Sequence, residues 1–195
     1  QRDLVWLYPS VGQDTQLPRA LCLQPAGLPA PVGASVSAQD WELSEVRSGV
    51  ATVSQATWEA FVPQMINYES VGGVSFKKGC YPGQEVVARS QFRGAIKRRG
   101  CIAAGVLADG AALPQAGQDV FLVPTAGAAD SVRDGECGLI AQVATLPQDG
   151  FELIASLQLH AMEAVSQGLA TLHAGSDTGP ELQLLPLPYV LLEDI

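Results

Sequence analysis

The chain has 195 residues, 47% of them apolar, and a net charge of -9, enough for one or two ordinary cores, since domains usually run to about 100 to 150 residues. No apolar run reaches the roughly 18 to 20 residues that a spanning helix needs, and the opening Gln1, Arg2, Asp3, Leu4 lacks the layout of a signal peptide, which argues against membrane insertion and export. Cys22, Cys80, Cys101 and Cys137 stand 58, 21 and 36 residues apart, which excludes a CxxC pair and the close ligand spacing of zinc or iron–sulfur sites; reduced thiols in a cytoplasmic compartment and no metal site are expected.

In chain order, two strand-like runs, Leu4 to Tyr8 and Arg19 to Leu23, flank a loop from Pro9 to Pro18. The first residue is not Met and Leu4 to Tyr8 calls for a strand partner, so further chain is expected upstream. Pro25 to Gly33 reads as irregular, and Trp41 to Val46 is apolar only in part. Thr57 to Phe61 is expected to form a short helix stopped by Pro63. Gly72 and Gly73 signal a turn, with Val74, Ser75 and Phe76 as a short strand after it. A helix of about three turns is expected from Pro82, with Glu85 in its first turn and Gly94 as terminator. Beyond Gly94 come Cys101 to Val106, Val120 to Val123, Leu139 to Ala144, Phe151 to Leu157 and Leu182 to Leu187, separated by turns that include Asp109-Gly110 and Asp149-Gly150. Short strands with regular turn signals predict a small all-β barrel or sandwich.

Charge is unevenly spread. Lys77, Lys78, Arg89, Arg93, Lys97, Arg98 and Arg99 lie in one window with a single acid, Glu85, so the window carries +6 and the rest of the chain -15. That asymmetry points to a local anion site on an acidic body. Within the window, Gly79 and Gly83 let backbone approach a ligand, and a helix beginning just after Cys80 turns its positive end toward the thiol. With Lys78 two residues away, Cys80 is the cysteine placed for a favoured thiolate. Cys22, Cys101 and Cys137 sit among apolar neighbours and read as packing residues. Glu85, Arg89 and Arg93 follow at i, i+4 and i+8 on one helix face, where Glu85 can pair with Arg89 and Arg93 can meet an anion. His160 and His173 read as surface or packing residues.

These residues carry a resemblance. Phe61-Val62-Pro63-Gln64, Asn67, the run from Gly72 to Arg89, Phe92-Arg93-Gly94 and Lys97-Arg98 resemble the signature block of the YgfZ family, relatives of the glycine-cleavage T-protein. The hallmark K-G-C-Y-x-G-Q-E occupies Lys78 to Glu85 in full, and Pro186-Leu187-Pro188-Tyr189 resembles the family's C-terminal signature. The resemblance implies an α+β fold: the remainder of a T-protein-like folate-binding region over residues 1–94, incomplete at its N-terminus, followed by a C-terminal antiparallel β-barrel over 95–195. It implies a tetrahydrofolate-binding accessory protein that supports assembly or repair of iron–sulfur enzymes, including one that thiomethylates transfer RNA. In that reading Cys80 and Lys78 carry the chemistry, and Gly79, Tyr81, Gly83, Gln84, Glu85, Arg89, Arg93 and Asn67 hold the ligand. At one point the chain departs from the pattern: Arg47 stands where the T-protein has a glutamate that holds the pterin, with Glu45 two residues earlier.

Two other functions compete. An aminomethyltransferase passing a one-carbon unit to tetrahydrofolate would share the fold, but the cysteine-bearing block separates the YgfZ branch from true T-proteins. If the chain is an enzyme, the resemblance implies one-carbon transfer of that kind or a thiol-dependent activity. A nucleic-acid binder is disfavoured by the net charge and by a window whose only aromatics are Tyr81 and Phe92. The partners expected are therefore a folate and iron–sulfur enzymes as clients, with no direct nucleic acid and no membrane.

Overall fold

The structure, a computed structural model, describes residues 4–11, 17–29, 32–92, 96–128 and 132–192. Strands β1 (Leu4–Val11) and β2 (Leu17–Leu23) form an antiparallel two-stranded sheet with Leu4 opposite Leu23. Helix α1 (Ala38–Arg47) follows, opened by a capping box in which the Ser37 side chain accepts from the Asp40 N–H and the Asp40 carboxylate accepts from the Ser37 N–H. Two 3-10 turns, Gln55–Thr57 and Pro63–Ile66, lead to helix α2 (Gln84–Phe92). Then come β3 (Arg98–Val106), β4 (Asp119–Pro124), β5 (Gly135–Thr145), β6 (Gly150–Gln158), helix α3 (Leu159–Ser166), β7 (Ala170–Ala174) and β8 (Glu181–Leu185).

The last six strands close into an antiparallel barrel in the order β3-β6-β5-β4-β7-β8, with β8 pairing back onto β3. Period-two alternation explains its filling: Phe151, Leu153, Ala155 and Leu157 of β6 point inward with Val120, Leu122, Ile140 and Leu172. Each large side chain fully buried in this way contributes about 1.5–3 kcal/mol. Helix α3 adds Ala161 and Ala164 to the same core. The even residues of β6 face outward, and there a second core gathers Ile154, Ile102, Ala141 and Ala144 with Val46 of α1, Ala51 and Ile66. Arg47 fixes this docking with a bidentate pair to Glu152, Nε to Oε2 at 2.8 Å and Nη2 to Oε1 at 2.7 Å. Its hydrogen bonds to Glu152 hold the guanidinium charged even more firmly than usual.

The barrel agrees with the expected fold class, and the five expected strands lie within β3, β4, β5, β6 and β8, apart from the last two residues of Leu182 to Leu187. Three local expectations are corrected. Val74 to Phe76 is not a strand: the Gly73 N–H bonds back to the Tyr68 carbonyl at 2.7 Å, closing a turn that leaves these residues without a partner strand. Thr57 to Phe61 is not a helix, because Ser54 and Thr57 bond to each other across a single 3-10 turn and Glu59 then takes φ 58°. Pro63 opens the next turn instead of stopping one. α2 begins at Gln84 instead of Pro82, and Gly94 lies outside the described residues.

Candidate functional site

Helix α2 is anchored by one side only. Val87 and Gln91, four apart, are buried, and the buried Gln64 donates from Nε2 to the Val87 carbonyl at 2.8 Å. Glu85, Val86, Arg89 and Phe92 face outward and are exposed, and Glu85, Ala88, Arg89 and Phe92 line an open recess of about 470 Å³. Glu85 and Arg89 thus share a face as their spacing predicts, although among the described residues no ion pair joins them. Arg93 lies outside the described residues.

The loop ahead of α2 shows what several motif residues do. Gly83 takes φ 81°, a left-handed conformation that strains any residue with a Cβ. The Gln84 side chain folds back so that its Oε1 accepts from the Tyr81 N–H at 3.1 Å. Backbone bonds from Gln84 N–H to the Tyr81 carbonyl and from Val86 N–H to the Gly83 carbonyl, both 3.3 Å, complete the turn. Gly83 and Gln84 therefore build the turn, and two N–H groups at the helix head go to backbone carbonyls instead of pointing at Cys80.

Lys78 places its ammonium over the Tyr81 ring, 4.4 Å from the centroid, a contact worth about 0.5–1 kcal/mol at an exposed site. Phe76 meets Phe92 edge to face, with centroids 5.6 Å apart. Between these contacts Lys78, Gly79 and Cys80 are exposed, so the loop presents its thiol to solvent four residues before the helix begins. The other cysteines differ as expected: Cys101 and Cys137 are buried. Burial pushes the Cys101 thiol up to about 12, and its S–H donates to the Ala155 carbonyl at 3.4 Å. Burial likewise pushes Cys137 up to about 12 against the opposing charge of Arg98. Cys22 is half-buried.

Asn67 does not join this group. It is fully buried with φ 61°, and its amide clasps Gly100: Nδ2 donates to the Gly100 carbonyl at 2.8 Å while Oδ1 accepts from the Gly100 N–H at 3.0 Å. A Cβ at Gly100 would come within 2.9 Å of that Nδ2. Asn67 Nδ2 also donates to the Tyr189 hydroxyl at 3.3 Å, which itself donates to the Gly49 carbonyl at 2.7 Å. Beside it the buried Arg99 pairs with the buried Glu69 and donates from Nη2 to the Leu192 carbonyl at 3.1 Å. Asn67 and Tyr189, far apart in sequence, thus tie the chain end to β3 and to the C-terminus of α1.

Sequence reasoning did not single out the Phe76 and Phe92 pair as site residues, though two aromatics flanking a basic glycine loop were a readable signal. Nor did it find Gln64 and Gln91, whose Oε1 atoms are buried with no hydrogen-bond partner among the described residues. No family model matches the chain. Among the described residues, no three His, Cys, Asp or Glu side chains gather as metal ligands would, and no helix is long and apolar enough to cross a membrane.

Proposed function

We propose that the chain is a tetrahydrofolate-binding accessory protein of the YgfZ type, working in the cytoplasm for iron–sulfur enzymes, among them one that thiomethylates transfer RNA. The observation that carries this reading is the exposed Cys80 thiol, held in an intact K-G-C-Y-x-G-Q-E loop at the head of α2. Further support comes from the recess on the outer face of α2, whose Arg89 guanidinium suits the carboxylates of a folate's glutamate tail and whose Phe92 suits its aromatic ring. Tetrahydrofolate supplies a carrier for one-carbon units. The chain's own part is to pair the tail at Arg89, stack against Phe92 and keep Cys80 and Lys78 beside the ligand. The pterin end gains no partner from Arg47, whose guanidinium is committed to Glu152.

The test is calorimetric titration of the protein with tetrahydrofolate, repeated on Arg89→Ala. Affinity should fall about tenfold on loss of one charge-assisted contact, while stability changes by about 0.5 kcal/mol or less because Arg89 is exposed. Equal affinity in the two proteins would remove folate from the recess.

A further inference from the structure

The basic window of the sequence is divided by the fold. Arg99 is spent on Glu69, Lys78 lies over Tyr81, and Arg89 serves the outer face of α2. Lys97 and Arg98 go elsewhere, to a recess of about 420 Å³ lined by Ile96, Lys97, Arg98, Gln158, Leu159 and His160.

Two chain segments build this recess. Arg98 stands opposite Gln158 where β3 begins and β6 ends, and the Leu159 N–H donates to the Lys97 carbonyl at 3.0 Å. The cations of one segment are thereby held against the turn that carries His160. Ile96 is buried and gives the recess an apolar floor; Lys97 and His160 are exposed and Arg98 half-buried, so all three polar heads are within reach of a ligand. Among the described residues no acid lines the recess, and no ion pair or side-chain hydrogen bond engages Lys97, Arg98 or His160. Helix α3 also begins here, with Gln158 at its cap making no side-chain capping bond. Neighbouring like charges repel, and an acidic chain with 20 Asp and Glu residues had ample means to neutralise them. Two cations and an imidazole over an apolar floor match a small molecule with an oxyanion at one end.

We propose that this recess is an oxyanion-binding site, separate from the Cys80 loop, for a small molecule bearing a phosphate or carboxylate group and an apolar portion. Lys97 and Arg98 pair with the oxyanion, His160 adds a hydrogen bond, and Ile96 and Leu159 receive the apolar part. The site does not depend on folate binding by α2.

The experiment titrates the protein calorimetrically at low ionic strength with two probes, inorganic phosphate and glutarate. One or both should bind at a single site, and the Lys97→Gln/Arg98→Gln double variant should weaken that binding about tenfold or more. His160→Gln should weaken it by a smaller factor, and Arg133→Gln, exposed and outside both recesses, should leave it unchanged. Tighter binding of phosphate assigns the site to phosphate esters; tighter binding of glutarate assigns it to carboxylates. Absence of binding by both probes at millimolar concentration, or equal binding by the double variant, overturns the proposal. So does a loss confined to Arg89→Gln, measured alongside, which would place the anion on α2. Should the double variant fail to fold, Lys97→Gln and His160→Gln, both at exposed positions, decide the matter by the same criterion.

Discussion

In the barrel, Phe151, Leu153 and Leu157 are almost wholly buried and Asn67, Glu69 and Arg99 complete a polar knot against its outer wall, whereas from Phe76 to Phe92 only Val87 and Gln91 are buried. The barrel region spends its residues on burial and paired polar groups. The loop region spends Gly83 and Gln84 on a turn and leaves Lys78, Cys80, Glu85 and Arg89 with little to do for stability. Such a division leaves exposed polar side chains on a support that does not need them for folding.

The largest expected effect strikes the knot. Arg99→Ala leaves the buried Glu69 carboxylate without its cation, and breaking a buried pair from one side costs about 3–5 kcal/mol. Urea unfolding should show a midpoint lowered accordingly; a change below about 1 kcal/mol would mean that the knot is dispensable and the contrast between the regions overstated.

Alkylation sharpens the contrast next. Iodoacetamide applied to the native protein should modify Cys80 first and Cys22 more slowly, while Cys101 and Cys137 react only as the barrel opens. Peptide mass spectrometry over time reads the order. Comparable rates at Cys80 and Cys101 would show a loosely packed barrel.

A smaller effect follows from the buried thiols. Their folded values of about 12 lie above the ordinary value of 9.0, so the folded chain holds protons that the unfolded chain has released between those two pH values. Their stabilising contribution is therefore complete below pH 9.0 and is lost as pH rises toward about 12. Burial raises Tyr68 and Tyr189 in the same direction. Cys101→Val with Cys137→Val should flatten the fall in stability measured by urea unfolding between pH 8.5 and pH 10.5, roughly the range in which thiol ionisation in the unfolded state acts; an unchanged slope would assign the alkaline limb to other groups.

The barrel was readable because apolar alternation in Phe151 to Leu157 and Leu139 to Ala144 is strong, and because Asp149-Gly150 marked a tight turn where Gln148 and Asp149 do take positive φ. β7 escaped since its inward residues are Ala170, Leu172 and Ala174, two of them too small to stand out. α3 escaped for a related reason: it buries alanines. α1 buries only Val46 fully, so its apolar pattern is faint, yet the Ser37 and Asp40 capping box was there to be read. In the candidate site, the shared face of Glu85 and Arg89 follows from helical spacing. The place of Asn67 does not, because its partners Gly100 and Tyr189 lie 33 and 122 residues away. Val74 to Phe76 misled because β-branched and aromatic residues favour a strand only where another strand can pair with them.

The central claim is that Cys80 acts through its thiol while the barrel merely supports it. The most direct measurement follows from the proposed function: recovery of an iron–sulfur enzyme's activity in cells deficient in a YgfZ-type protein, supplied with the wild-type chain or with Cys80→Ser. Serine keeps size and hydrogen bonding at an exposed position but loses the nucleophile. The account predicts recovery with the wild type and none with Cys80→Ser at equal protein level; equal recovery with both would contradict it and leave the loop a turn without thiol chemistry.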